Sequence, residues 1–217
     1  MAKQVIKNDF KKAELKYPKI KLFWEEDNFI CKGNVDVFDE MNVYWDSFNI
    51  KIVINIKKYP YYFPVVYLED ARIPKNEERH IHSDNSCCVE VEQKQSLRAR
   101  KGITILQFLD EYVVPYFANQ LYFEKEKVWA NGDYQHGFDG KLQDYFEMTG
   151  IKNLVELQYL LSNLEKTFNL KMYEVCFCGS GKKLKYCHKE SLKKILSLPK
   201  TQIENDLNAI ESMMSKR

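Results

Sequence analysis

Residues 20–70 read IKLFWEEDNFICKGNVDVFDEMNVYWDSFNIKIVINIKKYPYYFPVVYLED. Ile, Val, Phe, Tyr and Trp dominate, and in places they alternate with polar residues, as the two-residue period of a half-buried strand requires. Asp27-Asn28, Lys32-Gly33 and Tyr59-Pro60 interrupt the runs at turn-forming dipeptides. The stretch predicts a meander of three or four antiparallel strands. Cys31 lies inside a strand-like run and reads as a small core residue.

Outward from the meander the period changes. Val5, Ile6, Phe10, Ala13 and Leu15 predict a short amphipathic helix over residues 5–16. Residues 71–102 show little periodicity. A connection of about thirty residues without regular structure is uncommon in a compact domain and is often functional. Residues 103–121 predict a helix kinked at Pro115, and 122–138 an aromatic connection. Residues 139–149, 151–169 and 200–215 predict further helices, and Pro199 breaks the chain before the last. The class is α+β. A boundary near residue 170 separates a domain over 1–170, with a helical extension, from a small module over 171–217.

Composition narrows the function. In 217 residues, 45% apolar, 33 Lys and Arg balance 31 Asp and Glu. The chain has enough apolar content for a core, and its net charge of +2 excludes a wholesale electrostatic nucleic-acid binder. No apolar run approaches a membrane span, and the first residues carry no signal-peptide core. A cytoplasmic protein without membrane or nucleic-acid partners is expected. In a reducing compartment, six cysteines point to ligation or catalysis rather than disulfides.

The cysteines fall in three groups. Cys31 is alone. Cys87 and Cys88 are adjacent. Cys176, Cys178 and Cys187 cluster, with His188 directly after. The run Cys176-Phe-Cys178-Gly-Ser-Gly-Lys-Lys-Leu-Lys-Tyr-Cys187-His188 offers four thiolate or imidazole donors, the set a structural zinc ion takes tetrahedrally. Gly179 and Gly181 permit the tight turn. Four protein ligands leave no open position for catalysis, and metal binding stabilises a segment too short to bury a core of its own. The run resembles the SEC-C motif, C-P-C-G-S-G-K-K-x-K-x-C-H, with Phe177 where the pattern carries proline. Lys182, Lys183, Lys185, Lys189, Lys193 and Lys194 make this end locally basic. A solvated face, a phosphate contact and an acidic protein surface all remain open.

Cys87-Cys88 lies in HIHSDNSCCVEVE, after His80 and His82. A cysteine in a polar loop beside histidines is a candidate nucleophile. A structural cysteine or a vicinal disulfide fits as well. His80 and His82 read equally as surface histidines. Asp84, Asn85 and Ser86 are turn formers.

The order of helix, meander, Tyr-Pro turn, loop and helix over residues 5–121 resembles the ubiquitin-conjugating enzyme fold. Tyr59, Pro60, Phe63, Pro64 and Val66 stand in for that family's Tyr-Pro-x-x-Pro-Pro-x-Val segment. The run from Asp84 to Glu92 fits its Asn-Gly-Ser-Ile-Cys-Leu-Asp-Ile-Leu segment without a gap. The resemblance implies that Cys88 is the nucleophile, with Cys87 at the apolar position before it. The family's oxyanion-stabilising asparagine, eight residues earlier, is replaced by His80, whose imidazole N–H can also donate. The family's tryptophan shortly after the cysteine is missing. Trp129-Ala-Asn-Gly132-Asp-Tyr134-Gln-His136-Gly137 resembles an element of bacterial conjugating-enzyme homologues in antiphage operons. It makes His136 a candidate for a second functional group.

The resemblance implies transthiolation. Cys88 takes the C-terminal glycine of a protein as a thioester and passes it to an amine, with a cGAS-like nucleotidyltransferase as one such protein and antiphage signalling as the setting. A free thiol titrates near about 8.5, so only a modest downward shift is expected. The chain carries no phosphate-loop or dinucleotide fingerprint, so activation falls to a partner. Two other readings stand beside this one. One is a non-catalytic adaptor with a structural zinc site. The other is a cysteine hydrolase, for which His80 or His82 with Asp84 are too close in sequence to assign a triad geometry.

Overall fold

The structure, a computed structural model, describes residues 2–130, 134–170 and 172–215; of residues 2, 166, 167 and 170 only the backbone is described. The chain divides into two compact units, Met1–Gly137 and Phe138–Arg217.

In the first unit the α1 helix (Ala2–Lys16) is followed by four strands, β1 (Ile20–Glu25), β2 (Asn28–Phe38), β3 (Tyr44–Asn55) and β4 (Val65–Leu68). They form one antiparallel sheet in the order β1-β2-β3-β4. The α+β class and the meander are as expected. Alternation places Phe29, Cys31, Val35 and Val37 of β2 and Phe48, Ile50, Ile52 and Ile54 of β3 in the core, because successive strand side chains face opposite sides. Cys31 is fully buried there, and burial pushes its thiol up to about 12.

Gly33 decides how closely the chain can pass. It has φ +143, and a Cβ on it would lie 2.1 Å from the Lys19 carbonyl oxygen. Beyond the sheet, Tyr59 is buried and its hydroxyl donates to Asp9 of α1 at 2.7 Å. Phe63 meets the rings of Phe108 and Tyr112 edge-on, at 5.2 and 4.8 Å.

Two local expectations need correction. The stretch 71–102 is not wholly irregular. It holds a 3-10 turn at Glu77–Arg79 and the α2 helix (Glu92–Ala99). EQKQSLRA buries only Gln93 and Ala99, so it carries no apolar stripe to read. The helix expected over 103–121 runs as α3 (Ile105–Phe108), a π-turn (Leu109–Val113) and α4 (Val114–Glu126). Pro115 has no N–H to donate back one turn, and a widened turn just before it absorbs the mismatch. Phe117 of α4 stacks on Phe48 of β3 at 4.3 Å.

The second unit contains α5 (Gly137–Thr149), α6 (Leu154–Ser162), α7 (Leu164–Leu170), α8 (Lys189–Leu196) and α9 (Lys200–Ser215). The helix expected over 151–169 is two helices, broken at Asn163. The Asn163 amide donates to the Tyr159 carbonyl at 3.0 Å, a competition with the helix ladder that Asn favours. The compact units also part after Gly137, well before the expected boundary near residue 170. Tyr145 of α5 donates to Asp206 of α9 at 2.9 Å in a buried pair, and Lys141 lies 3.3 Å from the same carboxylate. The helices of 138–170 therefore belong with the cysteine-rich segment rather than with the sheet. No helix among the described residues is long and apolar enough to cross a membrane.

Candidate active-site loop and candidate metal centre

Residues 80–88 form a small hairpin against the edge strand β4. Ser86 pairs with Tyr67 and Ile81 with Cys87. The turn is built as its residues suggest. The Asp84 carboxylate accepts from the Ser86 N–H at 2.9 Å and its hydroxyl at 2.6 Å, and these bonds hold its carboxyl below the usual range. Asn85 takes the left-handed conformation, φ 72. His82 is exposed on this turn.

The hairpin gives the two cysteines opposite fates. The Cys87 N–H donates to the Val66 carbonyl of β4 at 2.8 Å. Its side chain is buried, and burial pushes the thiol up to about 12. Cys88 is partly buried, and its N–H donates to the His80 carbonyl at 2.8 Å. The Cys88 thiol is also held above its ordinary value, first by partial burial and then by the Glu90 carboxylate. The expected downward shift is therefore corrected to an upward one.

His80 itself is anchored from α4. It ends the 3-10 turn with φ 52 and ψ 35. The Tyr116 hydroxyl lies 3.1 Å from both the Arg79 and His80 carbonyl oxygens. Gln120, fully buried, donates to the Arg79 carbonyl at 2.7 Å and accepts from the Arg79 Nε at 2.9 Å. The His80 ring meets Trp129 edge-on at 5.1 Å and lies 4.9 Å from the ring of His136. Trp129 in turn stacks on Phe123 of α4 at 4.5 Å. The structure thus brings His80, Trp129 and His136 together beside the cysteine hairpin. Gly132 of the same sequence element lies outside the described residues.

Sequence reasoning missed Tyr116, Gln120 and Arg79. Their signal is weak, a Tyr and a Gln one turn apart on an otherwise apolar helix face. Only the fold shows that they hold loop carbonyls.

The second site lies wholly in the second unit. The ligand atoms of Cys176, Cys178, Cys187 and His188 lie within 4.8 Å of one another. Cys178 Sγ and Cys187 Sγ are 3.6 Å apart, and His188 Nδ1 is 3.3 Å from the sulfurs of Cys176 and Cys187. A tetrahedral ion with metal–sulfur bonds of about 2.3 Å separates two ligand atoms by about 3.5–3.8 Å. The donor set and its spacing therefore suit such an ion. Gly179 and Gly181 both have φ 73, the left-handed turns that bring Cys178 round to Cys187. The Ser180 hydroxyl pulls the Cys178 thiol down to about 6, and burial raises Cys176 to about 11. A coordinating metal would take all three as thiolates. Gly150 has φ +71 beside the ring of His188; a Cβ there would sit in ordinary contact, 3.4 Å from His188 Nε2.

Comparison with known proteins adds no assignment. No family model, no curated protein and no solved structure matches this chain.

Proposed function

We propose that the first unit is a ubiquitin-conjugating-like acyltransferase with Cys88 as its nucleophile. One observation carries this reading: the hairpin buries Cys87 in the core and leaves its neighbour Cys88 only partly buried. The Cys88 thiolate attacks the carbonyl carbon of an activated C-terminal glycine. A carbon–sulfur bond forms and the activating group departs. An amine then attacks the thioester carbonyl; a carbon–nitrogen bond forms, the carbon–sulfur bond breaks with the cysteine leaving as thiolate, and the amine proton passes to solvent. His80 stabilises the oxyanion of each step. A cGAS-like nucleotidyltransferase is a candidate donor of the C-terminus, in antiphage signalling.

The second unit is a structural zinc module on Cys176, Cys178, Cys187 and His188. With four protein ligands the ion supplies fold stability rather than chemistry.

The adaptor reading also has an observation in its favour, the upward shift of the Cys88 thiol, which lowers its thiolate fraction at neutral pH. Non-reducing gels of the protein incubated with ATP and the products of neighbouring genes separate the two. Conjugation requires an adduct that a thiol reductant removes and that Cys88→Ala abolishes. An adduct lost with Cys87→Ala but kept with Cys88→Ala overturns the assignment, and no adduct in any combination leaves the adaptor.

A further inference from the structure

The second unit carries an open groove of about 910 Å³ that neither the acyl-transfer reading nor the metal centre uses. One wall is α6, with Val155 and Tyr159; the other is the cysteine-rich segment, with Val175 and Phe177. Val155, Tyr159 and Val175 are 62, 60 and 68% exposed. Large apolar side chains left this open and adjacent mark an interaction surface.

Three features say what fits there. The first is backbone. Val175 pairs with Lys183 as an isolated antiparallel bridge. The flanking bonds run from the Cys176 N–H to Lys182 O at 2.8 Å and from the Leu184 N–H to Glu174 O at 2.9 Å. That pattern makes Val175–Lys183 the non-bonded pair, in which the Val175 N–H and C=O turn outward. Among the described residues neither group is hydrogen-bonded. The second is charge. The groove's charged groups are the carboxylates of Glu156 and Glu174, and among the described residues no ion pair involves either. Lys185 of the same segment does not line the groove; its ammonium lies over the rings of Tyr173 and Tyr186, at 4.4 and 4.5 Å. The third is shape. Phe177 lies against the His188 ring at 5.2 Å, so an aromatic wall stands beside the exposed edge.

We propose that this groove binds an extended segment of a protein partner, added as a strand to the Val175 edge. Its apolar side chains enter the groove, and flanking Lys or Arg residues meet Glu156 and Glu174. Main-chain bonds supply affinity in such strand addition, and the alternate side chains supply selectivity.

The test uses the full chain and a fluorescein-labelled peptide, Ser-Lys-Leu-Ser-Leu-Lys-Ser, read by fluorescence anisotropy. A companion peptide carries Glu for both Lys, and a third carries N-methyl groups on both Leu. The expected result is saturable binding of the Lys peptide, with about tenfold or greater loss for the Glu and N-methyl peptides. Glu156→Lys with Glu174→Lys, both at exposed positions, should invert the preference so that the Glu peptide binds more tightly. The variant's circular dichroism should match that of the unaltered protein. No saturation by about 1 mM, or equal binding of Lys and Glu peptides, overturns the proposal. So does a dimer in sedimentation that Val155→Ser converts to monomer without any peptide binding, which would make a second copy the occupant. None of these outcomes depends on thioester chemistry at Cys88.

Discussion

The backbone N–H of Cys88 donates to the carbonyl of His80 at 2.8 Å. This bond ties the backbones of the candidate nucleophile and the candidate oxyanion donor together. Tyr116 and Gln120 then tie the Arg79–His80 carbonyls to α4.

His80 has a left-handed backbone, φ 52, which asparagine tolerates far better than alanine. His80→Asn keeps both that conformation and an N–H donor. His80→Ala loses both. Under the proposed function, single-turnover transfer should fall about 10²- to 10³-fold for the alanine variant and remain within about tenfold for the asparagine variant. Equal losses would remove His80 from an oxyanion role.

The Cys88 thiol is raised above its ordinary value by partial burial and by Glu90. A raised thiol pKa means that thiolate keeps accumulating above the pH at which a free cysteine is half ionised. Alkylation of Cys88 by iodoacetamide, mapped by peptide mass, should therefore climb through pH 9. Glu90→Gln should move the curve to lower pH, because it removes the repelling charge. Cys87 and Cys31, buried and pushed up to about 12, should stay unmodified across the same range. A Cys88 curve that levels off below pH 8 contradicts this electrostatic account.

Elemental analysis of the purified protein should find about one zinc per chain, lost in Cys176→Ser. Gly150→Val should weaken metal retention against a chelator, because it puts a β-branched residue at a φ of +71 next to His188. Full retention in that variant would show that His188 does not need its present position to bind.

Gly33→Ala places a Cβ against the Lys19 carbonyl at 2.1 Å. Only backbone movement between β1 and β2 can relieve it. Urea unfolding should show a loss of about 3 kcal/mol or more, against near-neutral values for alanine at an exposed strand position such as Lys21.

Asp206→Ala strips the buried Tyr145 hydroxyl and the Lys141 ammonium of a shared carboxylate. A loss of about 2–4 kcal/mol is expected, seen as earlier melting of the second unit. Tyr145→Phe should cost less, since Lys141 keeps its partner.

The legible part of the fold was the part with strong periodicity. Alternating Ile and Val in β2 and β3, the stripe of Ile6, Phe10 and Ala13 in α1, and the ligand spacing from Cys176 to His188 are each local patterns, and each produced its element or cluster. α2 escaped because its exposed turns need no apolar stripe. The break at Asn163 escaped because Leu residues continue on both sides of it.

Chemistry-bearing residue types are local properties: the spacing of the chain pointed to the four candidate metal ligands, and the family resemblance to Cys88 and His80 as candidates. What surrounds each of them is not local. The pairing of Ile81 with Cys87 at the edge of β4 turns one cysteine into the core and leaves the other partly buried, and burial with Glu90 reverses the expected direction of its titration. His136 lies 56 residues after His80 in sequence and 4.9 Å from it in space. Burial, long-range pairing and the field of neighbouring charges exist only once the chain has closed on itself, so the tertiary structure alone decided them.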